Sequence, residues 1–191
     1  MVSRAQGSWA LWLLGYPDQA LQRAHDALTL AQQLAYPFSV ALAAHYIAIM
    51  HQVRRESQAA LEQAEFATGF ANEQGFPFWL ALATMIRGGE LAEQGNGEEG
   101  IKQMRQGLDA YRALGAEIGK TYWVGLLAEQ YGKMGQVAEG LAVLAEAFTL
   151  VEKNGERWWE ADLYRLKGEL TLQQANQKSK IKSYRSSTPE P

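Results

Sequence analysis

The segment Gly135-Gln-Val-Ala-Glu-Gly140-Leu141 has three counterparts at fixed intervals along the chain. These are Gly15-Tyr-Pro-Asp-Gln-Ala20-Leu21, Arg55-Glu-Ser-Gln-Ala-Ala60-Leu61 and Gly95-Asn-Gly-Glu-Glu-Gly100-Ile101. Their starts at 15, 55, 95 and 135 are 40 residues apart, with no insertion between copies. A fixed period of this length indicates a repeat protein in which each copy is one supersecondary unit.

The same offset aligns small residues in three columns. The columns are Ala48/Gly88/Ala128/Gly168, Ala20/Ala60/Gly100/Gly140 and Ala27/Ala67/Gly107/Ala147. Because a missing side chain lets two helix axes approach to roughly 8–9 Å, we expect close helix packing at these columns. Close packing also explains glycines inside predicted helices, where each costs roughly 1 kcal/mol against alanine. Those glycines are Gly88, Gly100, Gly107, Gly140 and Gly168.

The apolar residues between the columns are spaced as in helices. In the first copy they recur three and four residues apart, at Leu21, Ala24, Ala27, Leu28, Ala31 and Leu34. A further column, Gly75/Gly115/Gly155 with Ala35 in the first copy, follows the second helix of each unit, where a left-handed glycine caps a helix. First-type helices are predicted at about 37–53, 77–93, 117–133 and 157–174, and second-type helices at about 16–34, 57–74, 97–114 and 137–154, with a short helix before Gly15.

These helices predict an all-α fold, an α-solenoid of stacked helical hairpins over residues 1–175. The units fall at about 1–35, 36–75, 76–115 and 116–155, followed by the helix at 157–174. Hairpins must stack because one hairpin cannot bury its apolar face alone. The last helix has no partner helix after it, so we expect the chain to be a fragment of a larger array.

The remaining residues, 176–191, form a polar segment. Lys178, Lys180, Lys182 and Arg185 against Glu190 give it a net charge of +3. We expect a disordered tail there, because the segment has too little apolar surface to bury.

Composition excludes several function classes. The 191 residues are 47% hydrophobic and 20% charged, with a net charge of −3, so no overall basic field favours nucleic acid or an acidic membrane. Cysteine is absent, which removes disulfides and thiolate metal sites and fits a reducing compartment. The apolar run at residues 9–14 is too short for a signal peptide or a membrane span, so we expect a cytoplasmic protein.

No motif in the sequence predicts catalysis. Gly95-Asn-Gly-Glu-Glu-Gly100 matches the dinucleotide fingerprint but follows a helix, and its glutamates would repel phosphate. The three histidines, His25, His45 and His51, form no pair three or four residues apart that could bind a metal on one helix. The chain is therefore predicted to be neither an enzyme nor a protein with a cofactor or a metal.

Tryptophan recurs in the repeat register. Trp79 and Trp159 share one column, and Trp158 shares the next with Phe38 and Phe78. We expect these aromatic rings to fill the groove between adjacent hairpins; a platform for a ligand is the alternative.

The small-residue columns resemble the tetratricopeptide repeat. That motif has a small residue in its first helix, a glycine at the inter-helix turn and two small residues in its second helix. Arg55 departs from it by replacing the turn glycine, and the unit is longer than the usual ~34 residues.

A closer resemblance lies in three longer segments. They are Ala113-Leu-Gly-Ala-Glu-Ile-Gly119, Leu127-Ala-Glu-Gln-Tyr-Gly-Lys-Met-Gly135 and Gly155-Glu-Arg-Trp-Trp-Glu-Ala-Asp-Leu-Tyr-Arg-Leu-Lys-Gly-Glu-Leu170. These resemble the C-terminal array of bacterial multidomain proteins that join a class III nucleotide cyclase or a regulatory ATPase to tetratricopeptide-like repeats. The resemblance covers the repeat region and neither catalytic domain.

The resemblance implies a right-handed superhelix whose first-type helices line a concave groove for a peptide or protein partner. The groove-facing candidates that it implies are His45, Met85, Tyr122, Glu129, Arg165 and Glu169. Their mixed character argues against a clamp for acidic peptide tails. The predicted function is a non-catalytic interaction scaffold, with a regulatory array of a larger cyclase or ATPase protein as the alternative and a small-ligand enzyme as the third reading. The solenoid ends could also self-associate through exposed apolar surface.

Overall fold

A computed structural model describes residues 2–187 of the chain, with side chains described for residues 4–180. Over this range the chain forms nine α-helices and no strand, which confirms the predicted all-α class. The helices are α1 (Val2–Leu13), α2 (Pro17–Gln33), α3 (Pro37–Val53), α4 (Ser57–Glu73), α5 (Pro77–Glu93), α6 (Gly97–Ala113), α7 (Lys120–Lys133), α8 (Val137–Asn154) and α9 (Glu160–Ser187). No helix among them combines the length and the apolar character that a bilayer crossing needs.

The turns repeat at half the period found in the sequence. Residues 15, 35, 55, 75, 95, 115, 135 and 155 all have a positive φ, so a left-handed residue recurs every 20 residues. At the turn after α4, the Gly75 N–H donates to the Asn72 carbonyl at 3.2 Å and the Phe76 N–H donates to the Ala71 carbonyl at 2.8 Å. This pair of bonds is the Schellman motif, which satisfies the last carbonyls of a helix.

Two of these left-handed residues are not glycine. Ala35 has a φ of 48° and Arg55 a φ of 61°, and both are exposed. A left-handed residue with a Cβ costs roughly 1–2 kcal/mol, whereas glycine in the unfolded chain loses roughly 0.5–1 kcal/mol more entropy on folding. The steric cost is the larger of the two at these turns.

We expect Ala35→Gly and Arg55→Gly each to raise the free energy of unfolding by about 0.5–1 kcal/mol. Urea denaturation followed by circular dichroism would measure the change. Gly75→Ala is the matched control at the same turn position and should destabilise the chain by a similar amount. A stabilising Gly75→Ala would contradict this account of the turns.

The predicted start of two helices is wrong by three residues. Helix α7 begins at Lys120, not 117, because Gly119 is left-handed and the Glu156 carboxylate accepts hydrogen bonds from the Gly119 N–H at 2.6 Å and the Thr121 hydroxyl at 2.8 Å. Helix α9 begins at Glu160, not 157, after a tighter turn in which the Glu160 N–H donates to the Arg157 carbonyl at 3.1 Å.

The chain forms two compact units, Met1–Ala116 (unit 1) and Glu117–Pro191 (unit 2), where the sequence predicts one repeat domain over residues 1–175. The division falls in the segment 114–119, which is longer than the three-residue turns between α2 and α6. The hairpins α3–α4, α5–α6 and α7–α8 occupy the predicted units 36–75, 76–115 and 116–155.

In unit 1, α5 and α6 touch backbone to backbone. A Cβ on Gly88 would lie 2.6 Å from the Gly100 carbonyl oxygen and 2.7 Å from the Met104 nitrogen. Two turns further on, a Cβ on Gly107 would lie 2.7 Å from Met85 Cγ and 2.8 Å from the Ala81 carbonyl oxygen. Real Cβ atoms do not approach so closely, so the close packing predicted for Gly88, Gly100 and Gly107 is confirmed.

In unit 2, a leucine of α9 fills a notch between α7 and α8. Leu170 is 3% exposed, and its Cδ1 would lie 3.0 Å from a Cβ on Gly140 of α8. A Cβ on Gly132 of α7 would overlap the same leucine. The same Cβ on Gly140 would also lie 3.1 Å from the Ala128 carbonyl oxygen of α7. Gly140 too is therefore closely packed, as predicted.

The prediction of close packing is wrong for Gly168. A Cβ on this residue would have no atom within 4 Å, and Gly168 is exposed on α9. The physical reason is that α9 does not turn back at its end, so no second-type helix packs on the Gly168 side within the described chain.

Helix α9 also extends beyond its predicted end at 174. The sequence predicts a disordered tail at 176–191, whereas the helix continues to Ser187, and residues 188–191 lie outside the described residues. Two glutamines hold the start of the extension. The Gln173 amide donates to the Gly132 carbonyl at 3.0 Å, and the Gln177 amide donates to the Gly135 carbonyl at 3.2 Å. These bonds join α9 to the end of α7 and to the turn that follows it.

We expect Gly88→Ala to destabilise the chain by about 2–3 kcal/mol or more, because the new methyl group forces α5 away from α6. Gly69→Ala is the matched control, because Gly69 lies inside α4 with no atom within 4 Å of a Cβ. That change should stabilise the chain by about 0.5–1 kcal/mol, since alanine is the better helix former. Thermal unfolding of both variants would test the pair, and equal melting temperatures would refute the packing argument.

Candidate functional site

The six residues predicted to bind a partner all lie on first-type helices. His45 lies on α3 and Met85 on α5, both in unit 1. Tyr122 and Glu129 lie on α7, and Arg165 and Glu169 on α9, all in unit 2. They therefore form two sets, described separately below.

In unit 1, His45 is packed among aromatic rings. It is 8% exposed, and its ring centroid lies 5.6 Å from that of Trp79 and 5.5 Å from that of Tyr46. Burial lowers the pKa of His45 to about 4, because the low-dielectric surroundings disfavour the charged imidazolium. His45 is therefore a neutral imidazole near pH 7.

Met85, the second candidate in unit 1, faces the neighbouring helix. It is 2% exposed and packs against Gly107 of α6. A ligand at the surface of α5 would reach Met85 only if the α5–α6 contact opened. Its expected place in a binding groove stays a prediction.

Trp79 fills the space between α3 and α5, as the repeat register predicts. Its ring centroid lies 5.7 Å from that of Phe38 and 5.0 Å from that of Phe78. Trp79 is 8% exposed while Phe38 remains 43% exposed. The cluster is thus a packed inner layer with an aromatic edge at the surface.

We expect the buried His45 to make unit 1 sensitive to acid. Between the unfolded-state pKa of 6.5 and the folded-state pKa of about 4, the unfolded chain binds a proton that the folded chain does not. The contribution of neutral His45 to the free energy of unfolding is therefore fully present above pH 6.5. It falls by roughly 3 kcal/mol as the pH is lowered toward 4. Urea unfolding of wild type and His45→Gln at a series of pH values would measure this, and the variant should lose most of the slope.

His25→Gln is the matched control for this prediction. Burial and the nearby His51 lower the pKa of His25, but its side chain is exposed on α2, so its removal should change the slope much less. An unchanged slope in His45→Gln would contradict the assignment to His45.

In unit 2, Tyr122 lies in an aromatic cluster between α7 and the start of α9. It is 2% exposed, its ring is stacked on Trp158 with centroids 5.7 Å apart, and it meets Trp159 edge-on at 4.9 Å. Trp159 therefore packs between the two first-type helices of unit 2, just as Trp79 does in unit 1. Trp158 remains 40% exposed.

The charged candidates of unit 2 stay near the surface. The Glu129 side chain is 26% exposed and pairs with Lys133 Nζ at 3.0 Å. The Arg165 guanidinium donates to Asp162 Oδ1 at 2.7 Å and to both Glu169 carboxylate oxygens at 2.8 Å, which raises the pKa of Arg165. Its side chain is still 46% exposed, so this charged surface has both signs held in fixed positions.

An open cleft of about 510 Å³ runs along the second half of α9. Its lining includes the candidate Glu169 together with Leu172, Gln173, Asn176, Gln177 and Lys180. Sequence reasoning missed Asn176, Gln177 and Lys180 because it placed the end of the helix at 174. The missed signal is the absence of glycine and proline between Gly168 and Pro189, which permits a longer helix.

Unit 1 contains a buried carboxylate that the sequence did not single out. Glu90 of α5 is 3% exposed, and the Gln52 amide of α3 donates to its Oε1 at 3.0 Å. This bond ties two successive first-type helices together at the level of Gly89, where a Cβ would lie 3.3 Å from Gln52 Nε2. Its partner is 38 residues away, and no local pattern marks the pair.

The glycine motif at 95–100 forms a turn and the start of a helix. Gly95 is left-handed and Gly100 is buried against α5. Glu99 accepts hydrogen bonds from Gln103 and Lys102, which lower its pKa. The segment therefore serves packing, as its place at the repeat turn predicts. Elsewhere in the described part of the chain, no three His, Asp or Glu side chains come together as a metal ion would require.

No family model and no curated protein matches the chain. Among solved structures, the apo form of RapI superposes with a TM-score of 0.69 over 97% of this chain and 71% of RapI, at 15% identity. A putative kinesin light chain from Podosopora anserina with nearly identical TPR-like repeats gives 0.59 over 92% of this chain and 95% of that chain, at 14% identity. The likeness establishes a TPR-like helical repeat fold, as predicted.

Proposed function

We propose that this chain is a non-catalytic scaffold that binds a protein or peptide partner in the cytoplasm through its first-type helices. The observation that carries the proposal is in unit 2, where an open cleft of about 510 Å³ along α9 is lined by Glu169, which pairs with Arg165, and by Lys180. Repeat folds present such extended surfaces to partners at little cost, because the receptor is already ordered.

The chemistry of the cleft indicates the kind of segment that would bind. Glu169 and Lys180 place opposite charges on its lining, Leu172 is 67% exposed, and Gln173, Asn176 and Gln177 supply amides. Amide side chains can both donate to and accept from a peptide backbone. A peptide with one apolar side chain and flanking polar residues fits this lining better than a uniformly acidic tail.

The partner can be sought without knowing its name. Random peptides displayed on phage would be selected against the purified chain, and their affinities measured by fluorescence anisotropy. The double variant Glu129→Lys/Arg165→Glu should weaken the selected peptides about tenfold or more by reversing charges at the surface.

Glu139→Lys/Glu152→Lys is the matched control, because both glutamates are exposed on the second-type helix α8 of the same unit. It should leave the affinities unchanged. Peptides that lose affinity with the control and keep it with the double variant would overturn the assignment to first-type helices.

The resemblance to arrays of cyclase and ATPase proteins supports a narrower form of this role. In that form the array couples partner binding to an enzymatic domain of a larger polypeptide. An in-frame cyclase or ATPase sequence upstream in the genome would support it, and a stop codon directly upstream would exclude it.

A further inference from the structure

The fold of unit 1 brings together two histidines from neighbouring helices. His25 lies on α2 and His51 near the end of α3, and their ring centroids are 6.3 Å apart with the ring planes at 69°. The sequence predicts no metal site because no two histidines lie three or four residues apart on one helix. A pair across two helices leaves no such spacing, and imidazole is a preferred ligand of Zn²⁺, Cu²⁺ and Ni²⁺.

The separation of the two rings suits one shared metal ion. Two imidazoles bound to the same Zn²⁺, each through a nitrogen about 2.0–2.1 Å from the metal, have ring centroids roughly 5–6 Å apart. The observed 6.3 Å is slightly longer. Because His25 is exposed on α2, its side chain has room to rotate, and a small rotation closes the difference.

A carboxylate holds His51 in one orientation. The His51 Nδ1 lies 2.6 Å from Glu56 Oε2, and the His51 side chain is 13% exposed. When Nδ1–H donates to Glu56, the lone pair is on Nε2, which is the nitrogen left to bind a metal. Metal-binding histidines commonly donate their other N–H to a carboxylate in this way, because the bond fixes the tautomer and the ring orientation.

Glu56 is itself held at the turn after α3. The Arg54 Nε donates to Glu56 Oε1 at 2.8 Å, and the Arg54 guanidinium also donates to Asp18 Oδ1 of α2 at 2.9 Å. Two carboxylates therefore face one guanidinium in this network. Its net negative charge favours a cation at the neighbouring histidines.

We infer that His25 and His51 bind one divalent transition-metal ion of the class that prefers imidazole, with Glu56 as the positioning residue of His51. The described residues contain no set of three His, Asp or Glu ligands, so water completes the coordination shell. Such an ion is exchangeable, unlike the ion of a structural zinc site with four protein ligands. The bound ion links α2 to α3, and this role does not depend on the proposed binding of a protein partner.

Zn²⁺ is the probe for this site, added as zinc chloride to the full chain. Isothermal titration calorimetry should show saturable binding of one ion per chain, whereas Mg²⁺, which prefers oxygen ligands, should give none. In NMR spectra of the histidine rings, the signals of His25 and His51 should shift together and saturate at one equivalent. His45 is the internal control, because it is 8% exposed among aromatic rings and its signals should not move.

Variants separate the two ligands from the positioning residue. His25→Gln and His51→Gln should each weaken Zn²⁺ about tenfold or more, because a single imidazole remains. Glu56→Gln should weaken it roughly 10- to 100-fold and should change the tautomer of His51 in the metal-free chain, which ring nitrogen chemical shifts report. Glu62→Gln is the matched control, since Glu62 is exposed on α4 of the same unit, and it should bind as wild type does. Circular dichroism would show that each variant is folded.

Three results would overturn the inference. The first is no saturable heat with Zn²⁺. The second is equal affinity of wild type and His25→Gln, which would reduce the site to one adventitious surface histidine. The third is a shift of the His45 signals in step with Zn²⁺, since the ion would then act through the fold of unit 1 and not at the pair. Wild-type affinity in Glu56→Gln would remove the positioning role assigned to Glu56.

Discussion

The contact between two peptide backbones at a pair of small residues is the constraint on which each hairpin depends. Where Gly88 meets Gly100, a carbonyl oxygen occupies the space that a Cβ would need. Such an approach places the apolar side chains on both flanks of the helix pair in contact and lets Met104 and Met85 cover the seam. Dispersion and apolar burial then hold the pair, and both fall off steeply if the axes separate. Glycine within a helix lowers the stability of that helix relative to alanine. A residue with a Cβ at this crossing would instead leave a gap between the two helices along the whole hairpin.

Polar bonds over long sequence distances complement this apolar packing. In unit 2 the Glu156 carboxylate caps α7 from the turn after α8, bonding to Gly119 and Thr121 at the positive end of the helix dipole. In unit 1 the Gln52–Glu90 bond joins α3 to α5. Each bond links one first-type helix, or the turn before it, to the next at nearly the repeat distance. Within each unit, one first-type helix is thereby tied to the next.

The repeat period made much of the fold predictable from sequence. A column of small residues every 40 positions predicts where helices cross, because the backbone contact between the two helices of a hairpin recurs from copy to copy. Gly168 shows the limit of this reasoning. Its column predicts a crossing, but whether the crossing exists depends on a second helix, and residue 180 is a lysine in a helix that does not turn. The start of α7 was missed for a related reason, since Glu156 acts from 37 residues away and leaves no local signal. Among the candidate site residues, Met85 and Tyr122 are buried, because Met85 packs against Gly107 of α6 and Tyr122 lies against Trp158 and Trp159.

The even spacing of left-handed turns has a consequence for how such a chain can change length. In unit 1 the residues at 55 and 95 both have a positive φ, and each is followed by a second-type helix of 17 residues. Excision of residues 56–95, or their tandem duplication, would join one turn to its equivalent and leave the helix phase on both sides intact. An excision of 20 residues would instead place two helices of the same type in succession and bring together faces that lack complementary shape. This architecture can therefore gain or lose sequence in units of one whole hairpin, and not in units of one helix.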